Sequence, residues 1–109
     1  MNVEILAAPD YTLVSVVGRV DTTNANEFEK SMMGVVEGGS TKIVLDCAGL
    51  DYISSSGLRV FLIVQKKMMA IKGKFALCCL QPEIQEIFDI SGFSSIFSIF
   101  SDQDAAIKG

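Results

Sequence analysis

The chain has 109 residues, half of them hydrophobic, and a formal net charge of −4; this fits one domain, residues 1–109, with apolar surface to spare for a partner. An acidic chain without clustered Lys or Arg lacks the phosphate-neutralising footprint of a nucleic-acid binder. It contains no histidine, which excludes a Ser-His-Asp triad and any metal site that depends on imidazole.

The N-terminus, MNVEILAAPDYT, carries no basic start of the secretory kind, and its apolar run stops at Pro9. Alternation in NVEIL (2–6) and YTLVSVVG (11–18) predicts two short strands. Pro9 and Asp10 supply turn chemistry between them, so a hairpin is expected. In DTTNANEFEKSMMGVVEGG, residues Ala25, Phe28, Met32, Val35 and Val36 recur at spacings of three and four, the mark of one helical face. Thr22, Thr23 and Asn24 offer caps, and Gly38 and Gly39 end the helix. TKIVLDC (41–47) reads as a strand closed by Asp46.

A serine-rich loop follows, then a helix from Ser56 to about Ile71, ended by Gly73. KFALCCL (74–80) is the next strand. Strict alternation there sends Cys78 and Cys79 to opposite faces, which argues against a shared metal site. Three cysteines, an odd number, fit a reducing compartment and buried, inert thiols. QPEIQEIFDISG (81–92) places Pro82 near the first helical position, Ile84, Ile87 and Phe88 on one face, and Gly92 as the stop. SIFSIF (95–100) predicts the last strand, and Ser101 with Asp104 forms a capping pair for a short helix through Ile107. The strictly apolar runs, Val60 to Val64 among them, fall far short of the roughly 20 residues of a membrane-spanning helix. No direct membrane insertion is expected, and the chain reads as cytoplasmic.

The order β-β-α-β-α-β-α-β-α describes an α/β domain: a mixed, mostly parallel sheet with an N-terminal antiparallel hairpin, packed with about four helices. Ligands and partners of such sheets favour the carboxyl ends of the strands, where the serine loop lies. One of Ser54, Ser55 and Ser56 serves as a helix cap, a bond worth about 1 kcal/mol. Three in a row exceed that need. The first turn of a helix presents free N–H groups and a positive dipole end, which tolerate an added phosphate, and Gly57 leaves the neighbouring hydroxyls uncrowded. Beyond it, Leu58, Val60, Phe61, Leu62, Ile63 and Val64 cover most of a helix circumference, interrupted only by Arg59. Such a helix is buried on more than one side. Either neighbouring helices cover it, or another protein docks beside the serines.

The stretch DYISSSGLRVFL closely resembles the signature loop and helix of the anti-sigma-factor antagonists, bacterial proteins of the STAS domain. GRVDTTNANEFEKSM and FSIFSDQDAAI extend the resemblance over essentially the whole chain. It implies a partner switch. The unmodified antagonist binds an anti-sigma factor that is also an ATP-using serine kinase, and so frees the sigma factor. The kinase phosphorylates a loop serine, the complex separates, and a serine phosphatase reverses the modification. ATP belongs to the kinase, so no cofactor is expected on this chain.

By that resemblance the acceptor is the serine two places before the glycine, Ser55, with Ser56 and Ser54 as lesser candidates. The family commonly has aspartate where this chain has Ser54. Asp21 matches an acidic position near the loop; otherwise it is an ordinary acid at a helix start. The expected partner surface comprises Asp21, the three serines, Gly57, Leu58, Arg59, Phe61 and Leu62. A second reading keeps the fold without phosphorylation, as an interaction module or as a subunit of a membrane-associated or other regulatory complex, for example beside a membrane transporter. A third, an enzyme, lacks the Gly-x-Ser-x-Gly elbow, a histidine base and a Gly-rich phosphate loop, so no catalytic residue is expected.

Overall fold

A computed structural model describes residues 1–109. The strands are β1 (Asn2–Ala7), β2 (Thr12–Val20), β3 (Lys42–Ile53), β4 (Lys74–Cys78) and β5 (Ser98–Phe100). The helices are α1 (Ala25–Glu37), α2 (Ser55–Ala70), α3 (Pro82–Ser91) and α4 (Gln103–Lys108). One sheet holds the strands in the order β1-β2-β3-β4-β5. β1 runs antiparallel to β2, and every other pairing is parallel. This is the α/β order that the alternating periodicities predict.

The topology dictates the layers. Each crossover from β2 to β5 steps to the next strand in the same direction. Right-handed connections of that kind put α1, α2 and α3 on one face. Strand alternation then sorts the core: Ile43, Leu45, Phe75 and Leu77 join the helical side, while Val44, Ala76 and Cys78 join Ala106 of α4 on the other. α4 is tied down at its end by Lys42 Nζ, which donates to the carbonyls of Ile107 and Gly109. No helix is long and apolar enough to cross a membrane.

Most of the apolar run after the serines is covered by this chain itself. Val60, Phe61 and Val64 are buried, and Leu58 and Leu62 pack half-buried against the same core. Phe61 is fully buried and sits among Phe28, Phe75, Phe88 and Phe97, with ring centroids 5.8 to 6.5 Å away. Tilted and edge-on ring pairs at such distances add to the burial of apolar area. Its expected place on a partner surface is therefore corrected: Phe61 is the hub of the core.

Several element boundaries differ from expectation. β3 does not close at Asp46 but runs to Ile53, pairing with β2 across two irregularities in register. Gly49 lies at one of them, where a Cβ would stand 2.7 Å from the Val17 side chain. The supposed loop is thereby reduced to Ser54, and α2 begins at Ser55 rather than Ser56. Residues Phe93–Ser95 form a 3-10 turn, which shortens β5. Asp102, not Ser101, caps α4: its Oδ1 accepts the Ala105 N–H at 2.8 Å.

The cysteines give the largest correction. β4 ends at Cys78, and Cys79 takes a left-handed backbone with φ 63°, so alternation no longer governs its direction. Both thiols and the Asp46 carboxylate come together, their ligating atoms all within 4.8 Å. Burial first, then the hydrogen bond with Cys79 and the charge of Asp46, holds the Cys78 thiol well above its ordinary value. Burial does the same to Cys47, which lies on the helical side of the sheet.

Candidate partner-binding site

The start of α2 is built by the ends of β2 and β3. Val20 pairs with Ile53 in parallel register, and the Ser54 N–H donates to the Val20 carbonyl at 2.9 Å. Ser54 is extended, and its hydroxyl accepts the Gly57 N–H at 3.2 Å. Its carbonyl accepts the Leu58 N–H at 3.0 Å. Ser54 is thus the cap, satisfying an amide that the helix would otherwise leave orphaned.

With the cap assigned, Ser55 is the first residue of the helix and exposed; Ser56 is half-buried. Gly57 is buried, and its role differs from the one expected. A Cβ there would stand 2.8 Å from Ile53 and 2.9 Å from Val20 side chains. The missing side chain lets the helix start close onto the strand ends rather than clearing space around the serines. Arg59 is exposed, one turn beyond Ser55 on the same helical face. Leu58 and Leu62 give part of their surface to the core and keep part outside.

Asp21 follows Val20 as Ser54 follows Ile53, so the two stand at adjoining strand ends. The Asp21 carboxylate accepts the Thr23 hydroxyl at 2.5 Å and the Thr23 N–H at 2.9 Å. Those bonds, helped by Arg19 with its Nε 3.6 Å away, hold the Asp21 carboxyl below its ordinary range. Asn24 locks the turn from beneath: its Oδ1 accepts the Asp21 N–H and its amide donates to the Arg19 carbonyl, both at 2.9 Å. An ionised Asp21 is accordingly a fixed negative point beside the serine turn.

Two further residues were not found from sequence. Arg19 and Tyr52 are register partners across β2 and β3, and the Arg19 guanidinium lies 4.2 Å from the Tyr52 ring centroid. This cation–π pair flanks Asp21 and extends the polar surface along the strand ends. Nothing in the separate segments GRVD and LDYI signals the pairing, because it depends on the β2–β3 register. A surface cavity lies elsewhere, lined by residues that include Pro9, Tyr11, Lys30 and Ser40. None of the serine-turn residues lines that cavity.

The STAS domain family model matches residues 2–106. A Bordetella bronchiseptica protein carrying the name anti-sigma factor antagonist BtrV is 44% identical over 89 residues, 82% of this chain and 77% of its own. An anti-sigma-B factor antagonist of Staphylococcus epidermidis is 22% identical over 99 residues, 91% of this chain and 92% of its own. Among solved structures, an anti-sigma factor antagonist from Mycobacterium paratuberculosis superimposes with a TM-score of 0.89 at 20% identity, covering 98% of this chain and 91% of that one. The phosphorylated form of the Bacillus cell fate determinant SpoIIAA gives 0.74 at 17% identity, covering 95% and 96%. The structural likenesses establish the fold. With the family match spanning nearly every residue of the sheet and its helices, this chain belongs to the STAS domain family.

Proposed function

We propose that this chain is an anti-sigma factor antagonist that regulates transcription by partner switching, with Ser55 as its phosphorylated residue. The observation that carries the reading is an exposed Ser55 at the mouth of a capped helix, in a chain 44% identical to a protein of that name. The unmodified chain binds an anti-sigma factor with serine kinase activity, and a serine phosphatase restores it after modification. ATP and phosphoryl transfer belong to the kinase; this chain is its binding partner and substrate, not an enzyme. The scheme places it in the cytoplasm with that kinase.

The departure at position 54 is compatible with this role. Aspartate and serine are about equally good helix caps, and Ser54 makes the capping bond itself. The cap therefore keeps the Ser54 hydroxyl occupied and leaves Ser55 as the free acceptor. Arg59, Leu58 and Leu62 supply a charged and apolar contact surface next to it, with Asp21 and Ser56 at its edge.

The energetics suffice without refolding. A phosphoserine adds about −1.5 to −2 charges. One like charge at about 6 Å, in an effective dielectric near 20, costs roughly 3 kcal/mol, and a hundredfold loss of affinity needs only about 2.7 kcal/mol. The phosphate also competes for Arg59, one turn along the same face. Incubating the protein with its cognate kinase and ATP, then locating the phosphate by mass spectrometry, tests the assignment. Phosphate on Ser55 is expected; phosphate only on Ser54 or Ser56, or none in this turn, contradicts it.

A further inference from the structure

On the far side of the sheet, at the carboxyl end of β4 and the adjoining middle of β3, lies a cluster that partner switching does not use. Asp46 and Cys78 are register partners on neighbouring parallel strands. Cys79 leaves the strand with φ 63°, and its N–H donates to the Phe100 carbonyl at 3.2 Å. That turn returns its thiol to the side of Cys78, so two sulfurs and one carboxylate oxygen lie mutually within 4.8 Å. We propose that Asp46, Cys78 and Cys79 form a binding site for Zn²⁺, with a fourth coordination position left for water or a partner's ligand.

The donor set selects the class of ion. Mg²⁺ and Ca²⁺ are held by oxygen alone, whereas two thiolates and a carboxylate suit tetrahedral zinc. With bond lengths of about 2.0 to 2.3 Å, a tetrahedral site has ligand-to-ligand edges of roughly 3.3 to 3.8 Å. Closing from the present spacing needs about 1 Å of movement by side chains, and Cys79 and Asp46 are only half-buried. Cys78 supplies the fixed, buried wall of the site.

The carboxylate is already aimed. Asp46 Oδ1 accepts the Ala48 N–H at 2.9 Å, and Oδ2 accepts the Gln103 amide at 2.5 Å. Such outer contacts orient a ligand and raise its affinity for the ion. Asp46 and Asp102 also place negative charge near the thiols, a field that disfavours a bare thiolate and favours a dication. On binding, each thiol gives its proton to solvent and each sulfur donates a lone pair to zinc. The site then holds Zn²⁺, two thiolates and one carboxylate, a net charge of −1. Because Gln103 belongs to α4, occupancy links that helix to β3 and β4.

The test uses the reduced full-length chain with ZnCl₂, competed against a chromophoric chelator, and with CoCl₂ as a spectroscopic probe. One Zn²⁺ per chain is expected, and Co²⁺ should give an intense thiolate-to-metal charge-transfer absorption. Cys79→Ser and Asp46→Asn, both at half-buried positions, should each weaken zinc binding at least tenfold. Cys47→Ala, whose thiol faces the opposite side of the sheet, should leave it unchanged. Absence of the cobalt absorption, or Cys79→Ser and Asp46→Asn binding zinc as tightly as the unaltered chain, overturns the proposal. Neither result bears on Ser55.

Discussion

The Ser54 hydroxyl accepts the Gly57 N–H at 3.2 Å while Gly57 packs against Val20 and Ile53. One residue closes the helix turn from outside, and the other lets it approach the sheet from inside. Ser55, between them, is left pointing to neither task and is exposed.

Ser54→Ala removes the capping acceptor and should cost about 1 kcal/mol of folding stability. Ser54→Asp replaces one good cap with another and should change stability by only a few tenths of a kcal/mol. Urea denaturation, read as a shift in midpoint at constant slope, separates the two.

Gly57→Ala sets two effects against each other. Helix propensity alone favours alanine by about 0.8 to 1.0 kcal/mol. A Cβ 2.8 and 2.9 Å from Ile53 and Val20 demands repacking that typically costs about 1 to 3 kcal/mol. A net loss of stability is expected by thermal or urea unfolding, whereas a gain would show that the close approach is not constraining.

Phe61 and Arg59 lie two residues apart on α2 and should behave oppositely. Phe61→Ala empties the centre of the aromatic core and should cost about 3 to 5 kcal/mol. Arg59→Ala, at an exposed position, should leave stability within about 0.5 kcal/mol but weaken kinase binding. Unfolding curves and a binding isotherm on the same two variants check both halves.

Asp21 has a carboxyl held below its ordinary range, chiefly by the Thr23 hydroxyl and N–H and then by Arg19. A lowered folded-state value means that the unfolded chain binds the proton more readily. The resulting stabilisation is fully present above the ordinary carboxylate range and is lost as pH falls through the folded-state value. NMR titration should place the Asp21 midpoint below that of a free aspartate, and Thr23→Val should raise it.

Much of this architecture is legible in the residues. The threefold and fourfold spacing from Ala25 to Val35 marks α1, alternation marks β1 and β2, and Pro82 and Gly92 bracket α3. The end of β3 is not legible, because Asp46, Gly49 and Asp51 break the strand pattern while pairing with β2 carries the chain on to Ile53. The apolar circumference of α2 does not say which of its residues meet the sheet, so Phe61 could not be told from Leu62. Cys79 was misplaced because a left-handed backbone at a non-glycine residue is uncommon and leaves no mark in composition. Asp21 stood out as an acid at a helix start, but its position beside Ser54 is set by strand register, as is the Arg19–Tyr52 pair.

The central claim is tested most directly by titrating the cognate anti-sigma kinase with the unmodified chain and with the chain phosphorylated at Ser55, by calorimetry under one buffer. The phosphorylated form should bind about a hundredfold more weakly or worse, with an unchanged fold by circular dichroism. Equal affinity of the two forms would contradict the account.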